Sequence, residues 1–169
     1  MRTIVRVIES VSEWTGRVIR WACLALVLVL AYETTARYVF NAPTLWAYEL
    51  STMLGVTIAV LGWAYVYRHH GHVRVDVFYA HLSIRGKAII DVVFSLIFLF
   101  PLLIVLTYAS TLRMWFSWSI SEKLIESGWL IPAAPIRAVM VLGLSLFVFQ
   151  GVAQFIRDLY VLVKGEPYD

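Results

Sequence analysis

Three stretches of this chain are so long, so apolar and so free of charge that few folds can hold them. Ala138–Ile156 runs for 19 residues without Asp, Glu, Lys or Arg, Val92–Leu112 for 21, and Leu50–Tyr67 for 18. A helix needs about 20 mostly apolar residues to cross the hydrocarbon core of a bilayer. Burial in a soluble core is the competing reading, and composition argues against it. Of 169 residues, 61% are hydrophobic and only 15% charged, against about half and a quarter in soluble domains. A chain this short keeps much of its surface outside, so the solvent for that surface is lipid.

A fourth span lies near the N-terminus. Trp21–Tyr32 is fully apolar, and a helix can run from about Val18 to Phe40 if it carries Glu33 and Arg37 near one end. No small-residue cleavage site follows, so the segment reads as a retained signal anchor. The expected architecture is an all-α integral membrane protein: one four-helix transmembrane domain with spans at about 18–40, 50–67, 91–112 and 137–157. The 7 Trp and 9 Tyr suit aromatic belts at the membrane interfaces.

Lysine and arginine set the expected orientation. Arg2, Arg6, Arg17, Arg20, Arg68, Arg74, Arg85, Lys87, Arg157 and Lys164 fall on one side; Arg37, Arg113, Lys123 and Arg137 fall on the other. The first set marks the cytoplasmic face, with both termini inside a bacterial inner membrane. Two connections have amphipathic character. Ile4, Val7, Ile8, Val11 and Trp14 form an apolar stripe opposite Arg6, Glu9 and Glu13, the pattern of an interfacial helix or of a plain extension of the first span. Residues 113–130, with Trp115, Trp118 and Trp129 among charges, read as an interfacial helix on the outer face. Pro101 predicts a kink inside the third span.

Few residues could carry chemistry. Glu33 and Arg37 are four apart and can pair at the outer end of the first span. Asp91, at the start of the third span, has a helix-dipole role open to it. Glu49, after Pro43, can do the same for the second span or hold a partner's arginine. No span has a charge at its centre, and Cys23, the single cysteine, excludes an intramolecular disulfide and a cysteine zinc site. No nucleophile motif and no nucleic-acid pattern is present. Two faces are more telling. Ser51, Gly55, Ala59 and Gly62 form a small-residue face that lets another helix approach. Gln150 and Gln154 share a face with Gly143 and Gly151, and glutamines avoid lipid, so they should meet a helix of this chain or of a partner.

The residues "RYVFN" (Arg37–Asn41), Trp46 with "YEL" (Tyr48–Leu50), and "GHVRVDVFY" (Gly71–Tyr79) occur in that order, followed by the tail "WLIPAAPIRAVMVLGLSLFVFQGVAQFIRDL". This ordered set resembles the small permease subunit of tripartite ATP-independent periplasmic (TRAP) transporters, the DctQ-like family, over about residues 18–163. The wording is most similar to its mannitol/chloroaromatic-type branch. The resemblance implies a non-catalytic scaffold for a large permease subunit, with a periplasmic binding protein delivering an organic acid. It places the sodium site on the large subunit, with no cofactor in this chain and membrane lipids as its other neighbours. Carried over by position, Arg37, Asn41, Trp46 and Glu49 would organise the outer turn, and His72, Arg74 and Asp76 the inner loop. Two other readings compete. A small exporter acting as a dimer would use Glu33 as its membrane carboxylate, and a metal protein would use His69, His70, His72 and His81.

Overall fold

The computed structural model describes residues 2–69, 82–125 and 128–164. His70, His72, Arg74, Asp76 and His81 therefore lie outside the described residues. Five α-helices make four spans: α1 (Arg2–Tyr38), α2 (Trp46–Arg68), α3 (Ile84–Phe94), α4 (Phe100–Ser119) and α5 (Ala134–Lys164). A single π-helical turn, Ser95–Leu99, joins α3 to α4 as one continuous third span. All four spans are long and apolar enough to cross a membrane. No strand occurs among the described residues, only an isolated bridge between Lys123 and Pro132. Helices are the solution lipid imposes, because each backbone N–H and C=O must be satisfied within its own segment.

The helices overrun the expected spans. The third begins at Ile84, where Ser83 caps it by accepting from the Gly86 N–H at 3.2 Å. Asp91 is thus two turns into α3, beyond the reach of the N-terminal dipole. Just before Pro101, where a kink is expected, the helix carries the π turn. Pro101 has no N–H to donate, and its ring crowds the carbonyl four residues back; the wider turn ends with Phe100 N–H donating to the Ser95 carbonyl. Residues 4–14 belong to α1 rather than to a separate interfacial helix. Of the described residues within 113–130, those up to Ser119 are helical, as the end of α4. Ser121 enters the left-handed region at φ 49° and stops the helix, and Leu130 (φ 53°) and Gly128 (φ 78°) turn the chain back.

The spans stand in a row rather than a closed bundle. α5 is the hub: it packs along α2, α3 and α4, and touches α1 near the end that carries both termini. α1 packs on α2, while α2 and the third span lean on α5 instead of on each other. Small residues set these seams. Ala47, Ala64, Ala88, Ala134 and Ala153 are buried, and such residues let helix backbones come close. Where α5 meets α2, a Cβ on Gly143 would lie 2.5 Å from Val60 Cγ1 and 2.8 Å from Val60 backbone atoms. Outside the seams, large apolar side chains such as Trp21, Phe98, Val105 and Leu142 are exposed, as lipid-facing positions should be.

Candidate functional site

Polar side chains gather at the two ends of the row. At the terminal end, α1 turns its polar face inward. Glu9, Ser12 and Thr15 are buried, whereas Val7, Val11, Trp14 and Val18 are exposed. This reverses the expectation of Glu9 and Glu13 facing water. A bilayer offers apolar groups a place outside, and polar groups find partners only within the protein. The Ser12 hydroxyl lies 2.8 Å from Gln150 Oε1 and 3.1 Å from the Ile8 carbonyl. Arg157 reaches Glu9 Oε1 at 2.5 Å. Arg68 donates to the Glu9 carbonyl and to Glu13 Oε2, both at 2.8 Å, and His69 Nε2 lies 3.1 Å from the same Glu13 oxygen. Three helices are fastened here. Glu9 is buried, whereas Arg157, Arg68 and Glu13 keep roughly a third of their side-chain surface exposed, so these pairs fasten the helices while staying in reach of the interface.

Gln150 is 1% exposed, so its partner is internal: α1, through Ser12. Gln154 is also buried and donates to Asp158 Oδ1 at 3.0 Å on its own helix.

At the opposite end, Glu33 and Arg37 form the expected pair, with Nε 3.0 Å and Nη2 2.5 Å from Oε1. The other Glu33 oxygen accepts from the Thr44 N–H at 3.2 Å and from the Thr44 hydroxyl. The carboxylate that a self-sufficient exporter would use is therefore committed to closing the α1–α2 turn. Asn41 takes the left-handed conformation, φ 50°, and the next N–H, Ala42, donates back to the Ala36 carbonyl at 3.0 Å. Asparagine tolerates this better than most residues. Trp46 stacks on Tyr32 with ring centroids 5.5 Å apart. Glu49 is 2% exposed, enclosed by this chain, so it is not presented at the surface to a partner's arginine.

A second knot holds the connection between α4 and α5. Arg137 forks onto Glu122 with both terminal nitrogens, Nη2 at 2.8 Å, and Arg113 adds a contact at 3.1 Å. The Arg137 hydrogen bond, helped by the charges of Arg137 and Arg113, holds the Glu122 carboxyl below the usual carboxylate range despite an opposing desolvation effect.

Between the two ends the α2 face stays open. Gly55 and Gly62 have nothing within 4 Å of where a Cβ would stand, and Ala59 is exposed. The small-residue face is not a seam inside this chain; α2 packs instead through Ala47, Glu49, Val60 and Ala64. Cys23 is exposed. Among the described residues no three His, Cys, Asp or Glu side chains come together as a metal would need.

Sequence reasoning missed Glu9, Ser12, Glu13, Arg68 and Arg157 as one cluster, and Arg113, Glu122 and Arg137 as another. A signal for the first was available: Glu9, Ser12, Glu13 and Gly16 recur at i, i+3, i+4 and i+7, a polar stripe at helical spacing. The second pairs residues on either side of a loop, which no periodicity reveals.

No curated protein matches the chain. The family described as "Tripartite ATP-independent periplasmic transporters, DctQ component" matches residues 26–160, most of the chain. The match takes in the last third of α1 and almost all of the other three spans; it includes Glu33 and Glu122 with their partners, whereas Glu9, Ser12 and Glu13 precede it. This chain belongs to the DctQ-component family of tripartite ATP-independent periplasmic transporters, and it is a membrane component of a transporter rather than an enzyme.

Proposed function

We propose that this chain is the non-catalytic scaffold subunit of its transporter. It stands beside a large permease subunit that moves an organic acid inward, driven by an ion gradient, after delivery by a periplasmic binding protein. The observation that carries this reading is the row of helices: one helix thick, fastened at both ends by ion pairs, with no charged residue at the centre of any span. Such a wall has no place to hold an ion or a substrate midway, but it offers an apolar plate beside which another subunit can move. Sodium and substrate sites then belong to the large subunit. The positive-inside distribution puts the terminal end in the cytoplasm of a bacterial inner membrane. The wording of Thr44–Leu50 and Gly71–Asp91 favours the mannitol/chloroaromatic-type branch.

Co-purification and transport test the reading together. Tagged chain should carry along a large hydrophobic permease encoded beside it. Proteoliposomes holding both, with the binding protein outside, should take up substrate under a sodium gradient. Uptake by liposomes containing this chain alone would refute the scaffold assignment.

A further inference from the structure

One span is short of apolar residues. Leu50–Tyr67, Val92–Leu112 and Ala138–Ile156 hold 18, 21 and 19 residues free of charge, about 27–32 Å of helix at about 1.5 Å per residue. That matches a hydrocarbon core of about 30 Å. In α1 only the 12 residues Trp21–Tyr32 separate Arg20 from Glu33, a length of about 18 Å. The shortfall is about 12 Å. Glu33 and Arg37 are tied to each other and to Thr44 in the outer turn, so the missing length lies at the terminal end.

Contacts with α2 set the depth there. Glu13 pairs with Arg68, the last residue of α2, and Gly16 lies against the Tyr65 ring. Arg17 and Arg20 come four and seven residues after Glu13, about 6 and about 10 Å further into the membrane. Both are exposed, and neither makes a hydrogen bond, ion pair or ring contact among the described residues. Trp14, Arg17, Val18 and Trp21 recur at i, i+3, i+4 and i+7, one side of a helix, turned away from the buried Ser12, Thr15 and Ile19. Trp14 and Trp21 are 64% and 71% exposed. Tryptophan favours the headgroup level of a bilayer. Two indoles thus bracket a guanidinium at a depth where the neighbouring spans meet hydrocarbon.

A guanidinium at that depth is costly without an anion. Phosphate is the complement, because it accepts two parallel N–H bonds from one guanidinium. The headgroup that carries it can be drawn inward where a span is short. Two cations with no carboxylate between them among the described residues favour a headgroup of net negative charge over a zwitterionic one.

We propose that the Trp14–Trp21 face of α1 is a binding site for an anionic phospholipid, in the leaflet at the terminal end. The phosphate accepts from Arg17 and Arg20, the indoles of Trp14 and Trp21 flank the glycerol, and an acyl chain runs along the exposed Leu24 and Leu28. The proposal needs only that the chain resides in a membrane, not that it scaffolds a permease.

Native mass spectrometry of the purified full chain tests it, with phosphatidylglycerol, phosphatidylethanolamine and phosphatidylcholine offered in equal amounts. Phosphatidylglycerol should be retained at least about tenfold over the other two. R17Q/R20Q should abolish that preference while leaving the melting temperature in lipid-free detergent unchanged. If the double variant melts early, the single substitutions R17Q and R20Q, each expected to reduce the preference, decide the matter. R6Q/K164Q removes the same charge from the same end and should keep the preference. W14L/W21L keeps the charge and should lower retention. Free glycerol phosphate at millimolar concentration should not displace the lipid. A photocrosslinking residue at Val18, in the native membrane with every partner present, should label phospholipid. Equal retention of the three lipids, a preference that survives in R17Q/R20Q or is lost as fully in R6Q/K164Q, or retention unchanged in W14L/W21L would overturn the proposal. So would displacement by glycerol phosphate, or a protein labelled from position 18 in place of lipid.

Discussion

At Gly143 the α5 backbone lies directly against α2. A methyl group there would meet the Val60 backbone, not merely a side chain that can swing aside. Gly143→Ala should therefore lower the melting temperature of the purified chain, by an overpacking cost of about 1–3 kcal/mol. Gly55→Ala is the control. It meets nothing within 4 Å, and alanine is the better helix former, so the isolated chain should melt no lower than the wild type. Both measurements belong in the same detergent. Single residues were legible in sequence where lipid made them conspicuous. Gln150 is one, because a glutamine cannot face hydrocarbon unpaired. Glu49 is another, flagged as an ionisable group near a helix start, although its enclosure within the chain was not foreseeable. Ser12 was hidden, since nothing in an isolated serine announces that it will meet a residue 138 positions away.

The elements show a different division. Charge-free runs marked the four spans, but not where they end, because Arg85, Lys87 and Asp91 can sit within a helix once they reach the interface. The stripe on residues 4–14 was visible while its direction was not. Two faces with one period carry no label saying which is inside, and the habit learned from water points the wrong way in lipid. Residues 113–130 were read as an interfacial helix, and left-handed Ser121 follows the end of its helical part at Ser119. This connection is also where pH should act. Glu122 is held by Arg137 below its ordinary pKa, so the folded state binds the proton less readily than the unfolded one. The resulting stabilisation is fully present above the unfolded glutamate value of about 4.3 and is lost as pH falls through the lower, folded value. Fluorescence from Trp118 and Trp129 in the full chain should report loosening of the connection over that acid range. Glu122→Gln should shift the pH profile by removing this titration. A profile unchanged by the substitution would mean that other carboxylates govern the acid response.

For the whole molecule, the row of helices makes orientation a property that can be read directly. With Cys23 replaced by serine, a cysteine placed at Ser121 should react with a membrane-impermeant thiol reagent added outside spheroplasts. One placed at Lys164 should react only after the membrane is opened. The reverse pattern would contradict the positive-inside assignment. α1 and the third span also exceed the membrane. At about 1.5 Å per residue, α1 is about 55 Å long against a hydrocarbon core of about 30 Å. The Glu9–Arg157 and Glu13–Arg68 pairs lie on that overhang, where charges can keep contact with the interface.

The position of the hub in the chain has a consequence for synthesis. α5 is the last of the described helices to leave the ribosome, yet it supplies the surface on which the third span rests. α1 and α2 can pair as soon as both are in the bilayer. The third span must wait beside them, its face towards α5 still covered by lipid. A chain stalled before Ala134 would hold three inserted spans but only one helix–helix seam, and quality control in the membrane would meet it as a hairpin with a loose neighbour.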